Sequence, residues 1–156
     1  MTLPAAASRG VRNFNPTNID FNKRNDWVGQ LGLEPKTASV PNPRFALFDC
    51  AENGIRAAGK LILNYRGKDG MPGIGKPGID TVTEVITRWA PAVDNNNTAA
   101  YIAAVAKRMG VGATQALNLA DPAALIGILT GIIIHENGYM PYSTAIVAEG
   151  VRRALA

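Results

Sequence analysis

The sequence predicts a mainly α-helical fold with an irregular, loop-rich N-terminal segment, and three observations carry that reading. Apolar residues recur at helical spacing through most of the chain beyond about residue 45. Ser, Thr, Asp and Pro stand where helices would begin, and Gly stands where they would end. Residues 1 to about 44 are rich instead in Asn, Pro and Gly, with only brief apolar runs. The 156 residues, 47% apolar and 18% charged, suffice to bury one core without a metal or a disulfide. A single domain over residues 9–156, preceded by a flexible segment 1–8, is the expected organisation.

Taken in order, the first segment offers short strands around Asn18 to Phe21 and Phe45 to Phe48. Asp49 can cap a helix whose first turn holds Glu52, with Ile55, Ala58, Ile62 and Tyr65 forming its buried stripe. Gly67 to Gly78, with five glycines and two prolines, stops that helix and is expected to form a mobile loop bordering a groove. Thr81 and Glu84 make a capping-box pattern ahead of Val85, Ile86 and Trp89, and Pro91 closes the element. Thr98 is the expected cap for a helix carrying Tyr101, Ile102, Val105 and Met109 on one face, ended by Gly110. Asp121 and Pro122 open a helix running through Leu125, Leu129, Ile132 and Ile133 to Gly138. Ser143 caps a last helix with Ile146, Val147, Val151 and Leu155.

Charge and cysteine content exclude little. One cysteine, Cys50, rules out an internal disulfide and reads better as an inert thiol than as a nucleophile. The formal charge of +4 is spread along the chain, without the basic-aromatic interleaving of a nucleic-acid module, so net charge is all that supports nucleic-acid binding. The N-terminus lacks the basic and apolar regions of a signal peptide. Ala123 to Ile134 is too short to span a bilayer, so no membrane insertion is expected. The glycines of 67–78 form no phosphate loop, and no metal or cofactor motif stands out.

One carboxylate is oddly placed. Continuing the stripe Leu125, Leu129, Ile132, Ile133 by its own period brings Glu136 onto the apolar face, at the negative end of the helix. Burial and the helix dipole both favour the protonated form, which is what protonation of a glycosidic oxygen requires. An ion pair with an Arg or Lys, or backbone hydrogen bonds from the following loop, would account for Glu136 equally. His135 lies beside the stripe without an assignable role. Glu52 is the alternative acid, although helix capping explains it. Asp20, Asp49 and Asp94 flank loops and are candidates for orienting water. The Asn-rich stretch Arg12 to Asn18 and the rings of Trp27, Tyr139 and Tyr142 suit a sugar carrying N-acetyl groups, and equally suit turns and core.

The runs Arg9-Gly-Val-Arg-Asn-Phe-Asn-Pro-Thr-Asn-Ile19, Trp27, Gly29 and Glu52-Asn-Gly-Ile-Arg-Ala57 resemble a family of phage-encoded lysozyme-like proteins, many of them virion components. So do Arg88-Trp-Ala-Pro91, Tyr101 and His135-Glu-Asn-Gly138 with Pro141-Tyr-Ser143. The resemblance covers nearly the whole chain from Arg9. It implies a lysozyme-like helical domain, circularly permuted because the Asn15 to Phe21 segment precedes the glutamate it normally follows. It further implies Glu136 as the acid, with Asn15, Asn18 and Tyr142 as substrate-binding residues; Tyr139 joins them as a substrate-binding candidate on its ring alone, and no cofactor is expected. The chain departs from the family pattern at Phe14, Thr17 and Asp94, of which Phe14 bears on a sugar-contacting loop.

The function so implied is cleavage of the β-1,4 bond between N-acetylmuramic acid and N-acetylglucosamine in peptidoglycan, by lytic transglycosylation or hydrolysis. The protein would then sit in a phage virion, with other virion proteins as partners, and act in the host periplasm or cell wall. The alternative is a catalytically inactive structural virion protein that keeps the lysozyme-like fold. A cleft exposing Glu136 favours the enzyme, and a cleft filled by Phe14 favours the structural protein.

Overall fold

The computed structural model describes residues 7–65 and 79–156. The expected Gly67–Gly78 loop and most of the expected flexible N-terminus lie outside the described residues. The rest is mainly helical: α1 (Arg9–Arg12), β1 (Gln30–Leu33), β2 (Ala46–Phe48), α2 (Ala51–Tyr65), α3 (Val82–Trp89), a 3₁₀ turn (Ala92–Asp94), α4 (Thr98–Met109), α5 (Pro122–Asn137) and α6 (Thr144–Leu155).

Helix boundaries follow local chemistry. The Thr81 hydroxyl accepts from the Glu84 amide, and the Glu84 carboxylate accepts in return from the Thr81 hydroxyl. Asp121 accepts from the Ala124 amide with Pro122 in the first turn, and Ser143 accepts from the Ile146 amide. Gly110 and Gly138 end α4 and α5 in the left-handed conformation that glycine adopts without a Cβ clash. Two expected caps shift by a residue or more. Asn97, not Thr98, caps α4, leaving the Thr98 hydroxyl to donate to the Ala90 carbonyl. Asp49 precedes α2 by two positions and accepts from the Asn53 side chain.

α5 is the apolar centre, with Leu125, Ile128, Leu129, Ile132 and Ile133 all sealed from solvent. It packs against α4 on one side and α6 on another, while α6 lies along α2. That last pairing needs small residues. A Cβ on Gly150 would stand 2.5 Å from Ile55, so only glycine permits the observed approach.

The N-terminal layer has few backbone pairs of its own. β1 and β2 are antiparallel, with Gln30 opposite Phe48 and Leu33 opposite Ala46, and an irregularity between Gln30 and Gly32. The strand expected over Asn18 to Phe21 reduces to one bridge, Asp20 with Phe45. Asn15 explains why. Its carboxamide donates to the Ile19 and Ala46 carbonyls and accepts from the Ile19 amide, replacing the ladder that a strand would have supplied.

Glu34 holds this layer together. Only 3% exposed, it accepts from both Nε and Nη2 of Arg9, at 2.8 and 2.6 Å, from the Asn13 carboxamide, and from the amides of Arg44 and Phe45. Burial by itself would push this carboxyl up, but the Arg9 guanidinium, the two amides and Asn13 outweigh it and hold the group at about 2.

A group whose folded pKa is depressed stabilises the fold above its unfolded pKa, and that contribution is lost as pH falls towards the folded value. Glu34 should therefore contribute on the order of 3 kcal/mol at neutral pH, withdrawn between about pH 4.5 and 2. In urea unfolding, Glu34→Gln should lower stability by about this amount at pH 7 and flatten the acid limb. An unchanged acid limb would remove Glu34 from this role.

Candidate functional site

The C-terminal end of α5 meets the N-terminal layer through Asn137. Its carboxamide donates to the Pro16 and Ile133 carbonyls, both at 2.7 Å, and accepts from the Ser8 hydroxyl at 2.5 Å. This clamp presses the turn Asn15–Asn18 onto the end of the helix. Asn18 takes a left-handed backbone conformation, φ 55°, which Asn tolerates better than most residues. From there its carboxamide donates to Oε2 of Glu136 at 3.3 Å.

Glu136 faces a cleft of about 410 Å³. The N-terminal layer supplies one wall through Asn18, Asp20, Asn22, Asn25, Arg44 and Phe45. Leu61 and Tyr65 of α2, Arg88 and Trp89 at the end of α3, and the turn bearing Asp94 and Asn96 supply the other. Amide side chains and aromatic rings thus surround one half-buried carboxyl group.

The other Glu136 oxygen is also bound. The hydroxyl of Tyr101, a residue only 1% exposed, donates to Oε1 at 3.2 Å, and the exposed ring of His135 stacks on the Tyr101 ring with centroids 3.7 Å apart. Burial pushes the Glu136 carboxyl above its ordinary value, while the Asn18 and Tyr101 hydrogen bonds and the charges of His135 and Arg44 oppose it. Arg44 is itself held, with Nε 2.5 Å and Nη2 3.2 Å from the two Asp20 oxygens. Phe45 lies beneath both Arg44 and Arg9, at 5.3 and 4.3 Å.

Of the residues singled out in the sequence, the cleft gathers Glu136, Asn18, Asp20 and Asp94. Asn15 is fully buried and serves the backbone. Tyr139 and Tyr142 follow the Gly138 turn and fall outside the cleft lining, as does Glu52 in the first turn of α2. Burial, with Tyr139 and Glu52 nearby, pushes the Tyr142 hydroxyl up to about 12. Phe14 packs against the core without lining the cleft, and its carbonyl lies where a Cβ on Gly54 would come within 1.9 Å. Sequence reasoning did not pick out Tyr65, Trp89 and Tyr101 as site residues, because each falls on a helical apolar stripe and reads as core. Arg44 carried no signal, and Arg88 entered only as part of the run Arg88-Trp-Ala-Pro91 that resembles the family, with no role assigned to it. Among the described residues, no group of three or more His, Cys, Asp or Glu is placed to hold a metal ion, and no helix is long and apolar enough to cross a membrane.

The pair of donors on Glu136 sets a pH prediction. Tyr101→Phe removes a hydrogen bond that favours the carboxylate, so the Glu136 midpoint, already raised by burial, should rise further. Carbon-13 NMR of the labelled carboxyl reads this directly. A lower or unmoved midpoint in the variant would show that the hydroxyl does not serve the anion.

No family model matches the chain. It is, however, 32% identical over 146 residues to Protein P5 of Pseudoalteromonas phage PM2, an alignment spanning 92% of this chain and 80% of that protein. At this identity and coverage, the chain belongs to the family of the phage PM2 protein P5.

Proposed function

We propose that this protein cleaves the β-1,4 bond between N-acetylmuramic acid and N-acetylglucosamine in bacterial peptidoglycan, with Glu136 as the general acid. One observation carries the reading: a half-buried carboxyl, pushed towards its protonated form, opens into a cleft lined by amides and aromatic rings. Protonation of a departing glycosidic oxygen needs an acid that still holds its proton near neutrality. Asn18, Asn22, Asn25 and Asn96 offer both donors and acceptors to N-acetyl and hydroxyl groups, and Phe45, Tyr65 and Trp89 offer flat apolar faces to sugar rings.

In the first step the bond from muramoyl C1 to oxygen breaks as the Glu136 proton passes to that oxygen. The resulting carboxylate is stabilised and held in position by the Tyr101 hydroxyl and the Asn18 amide, which eases loss of the proton, and burial leaves it basic enough to act in the second step. There it takes the proton of the nucleophile that closes onto C1. The muramoyl 6-hydroxyl gives a 1,6-anhydro end, and water gives a reducing end. Membership of a family that includes a phage protein supports a phage origin; on the proposed reading the protein sits in a phage virion, with other virion proteins as its neighbours, and opens the host wall. An empty-handed lysozyme-like scaffold would more naturally have its cleft filled, and Phe14 packs elsewhere.

The purified protein should clear a peptidoglycan suspension, and Glu136→Gln should slow clearing roughly 100-fold or more while the protein still unfolds cooperatively. Gln keeps the size of the side chain and cannot donate the proton. Equal clearing by a folded Glu136→Gln protein would move the acid elsewhere, with Glu52 next to be tested. A wild-type protein inactive on the wall of its own host would leave a structural virion protein as the better account.

A further inference from the structure

Two guanidinium groups line the cleft, and they are not equivalent. Arg44 is neutralised by the fork of hydrogen bonds to Asp20. Arg88 makes no ion pair among the described residues. Its guanidinium carbon stands 5.0 Å from the centre of the Tyr65 ring, and that ring meets Trp89 edge to face with centroids 6.4 Å apart. All three residues line the cleft, at the ends of α2 and α3.

A basic residue in the last turn of α3 suits the helix dipole, but that role asks only for proximity to the last carbonyls. Seating the guanidinium beside the Tyr65 ring restricts its rotamers, and with no carboxylate paired to it among the described residues its fork keeps donors for one. A planar fork with unused donors matches a carboxylate, and a neutral N-acetylglucosamine chain has none to offer. Resting on the glycan-cleaving reading, we infer that Arg88, seated on Tyr65, is the specificity-determining residue that recognises a carboxylate carried by the muramoyl side arm of the substrate. Two sources share this chemistry: the free lactyl carboxylate of a peptide-free muramoyl unit, and the carboxylates of a stem peptide when the lactyl group is amidated.

The test is equilibrium binding in a Glu136→Gln, Trp27→Phe background, read by the fluorescence of the remaining Trp89 in the cleft wall. The probes are chitotetraose, a peptide-free tetrasaccharide of alternating N-acetylglucosamine and N-acetylmuramic acid, and the same tetrasaccharide carrying stem peptides. At least one muramoyl ligand should bind about 10-fold or more tightly than chitotetraose, and the ligand that does so identifies the source. Added Arg88→Ala should abolish this preference, read as the ratio of muramoyl-ligand to chitotetraose affinity in the same variant, and the preference should shrink with salt. Saccharides that bind without charge preference, or a preference that survives Arg88→Ala, would overturn the role of Arg88 and leave the glycan reading standing. If no saccharide binds and the wild-type protein cleaves no glycan, both readings fall together.

Discussion

The carboxylate of Glu34 is buried in a part of the molecule that has almost no regular structure to lean on. Short strands and a four-residue helix cannot fix a layer of some forty residues, so side-chain hydrogen bonds take over that work. Glu34 ties the start of the layer, Arg9 and Asn13, to its end, Arg44 and Phe45. Because Arg44 and Phe45 are cleft residues, the same interaction that stabilises the layer also sets one wall of the site. The arrangement is sensitive in a particular way: removing one partner leaves a desolvated charge rather than a mere gap.

A second polar junction joins this layer to the helices. Asn137 immediately follows Glu136 and holds the Pro16 carbonyl, so the turn carrying Asn18 is fixed relative to the acid it serves. Donors on both oxygens restrain the Glu136 carboxyl and favour its anion, while burial pushes it towards the protonated form. The balance between these opposed effects matters more than either alone. A carboxyl with burial only would be a weak acid that gives up its proton reluctantly, and one with donors only would have lost that proton already.

The helices and the position of Glu136 were legible because local rules decide them. Thr81, Asp121 and Ser143 cap as their residue types direct, and α5 is long and apolar enough for its face to be followed to Glu136. The N-terminal layer was not legible in detail, since Asn side chains there replace backbone ladders and give no periodic signal. Asn15 illustrates the ambiguity: the carboxamide that suits an N-acetyl sugar suits three backbone groups just as well. Tyr139 and Tyr142 were expected as substrate-binding residues for their aromatic rings, and Tyr142 also from the resemblance, but they follow the left-handed Gly138 turn and lie outside the cleft lining. Tyr65 and Trp89 show the converse, reaching the cleft only because α2 and α3 end at the same wall. Glu34, between Leu33 and Pro35, reads as an ordinary loop carboxylate, and only the pairing of distant segments reveals its burial.

The central claim concerns one bond, and the chemical identity of the ends left behind tests it most directly. Mass spectrometry of fragments released from purified peptidoglycan should show chains ending at muramic acid, either as the 1,6-anhydro sugar or as the reducing sugar one water heavier. Fragments that retain intact glycan and are cut only in their stem peptides, or that end at N-acetylglucosamine, would contradict the account.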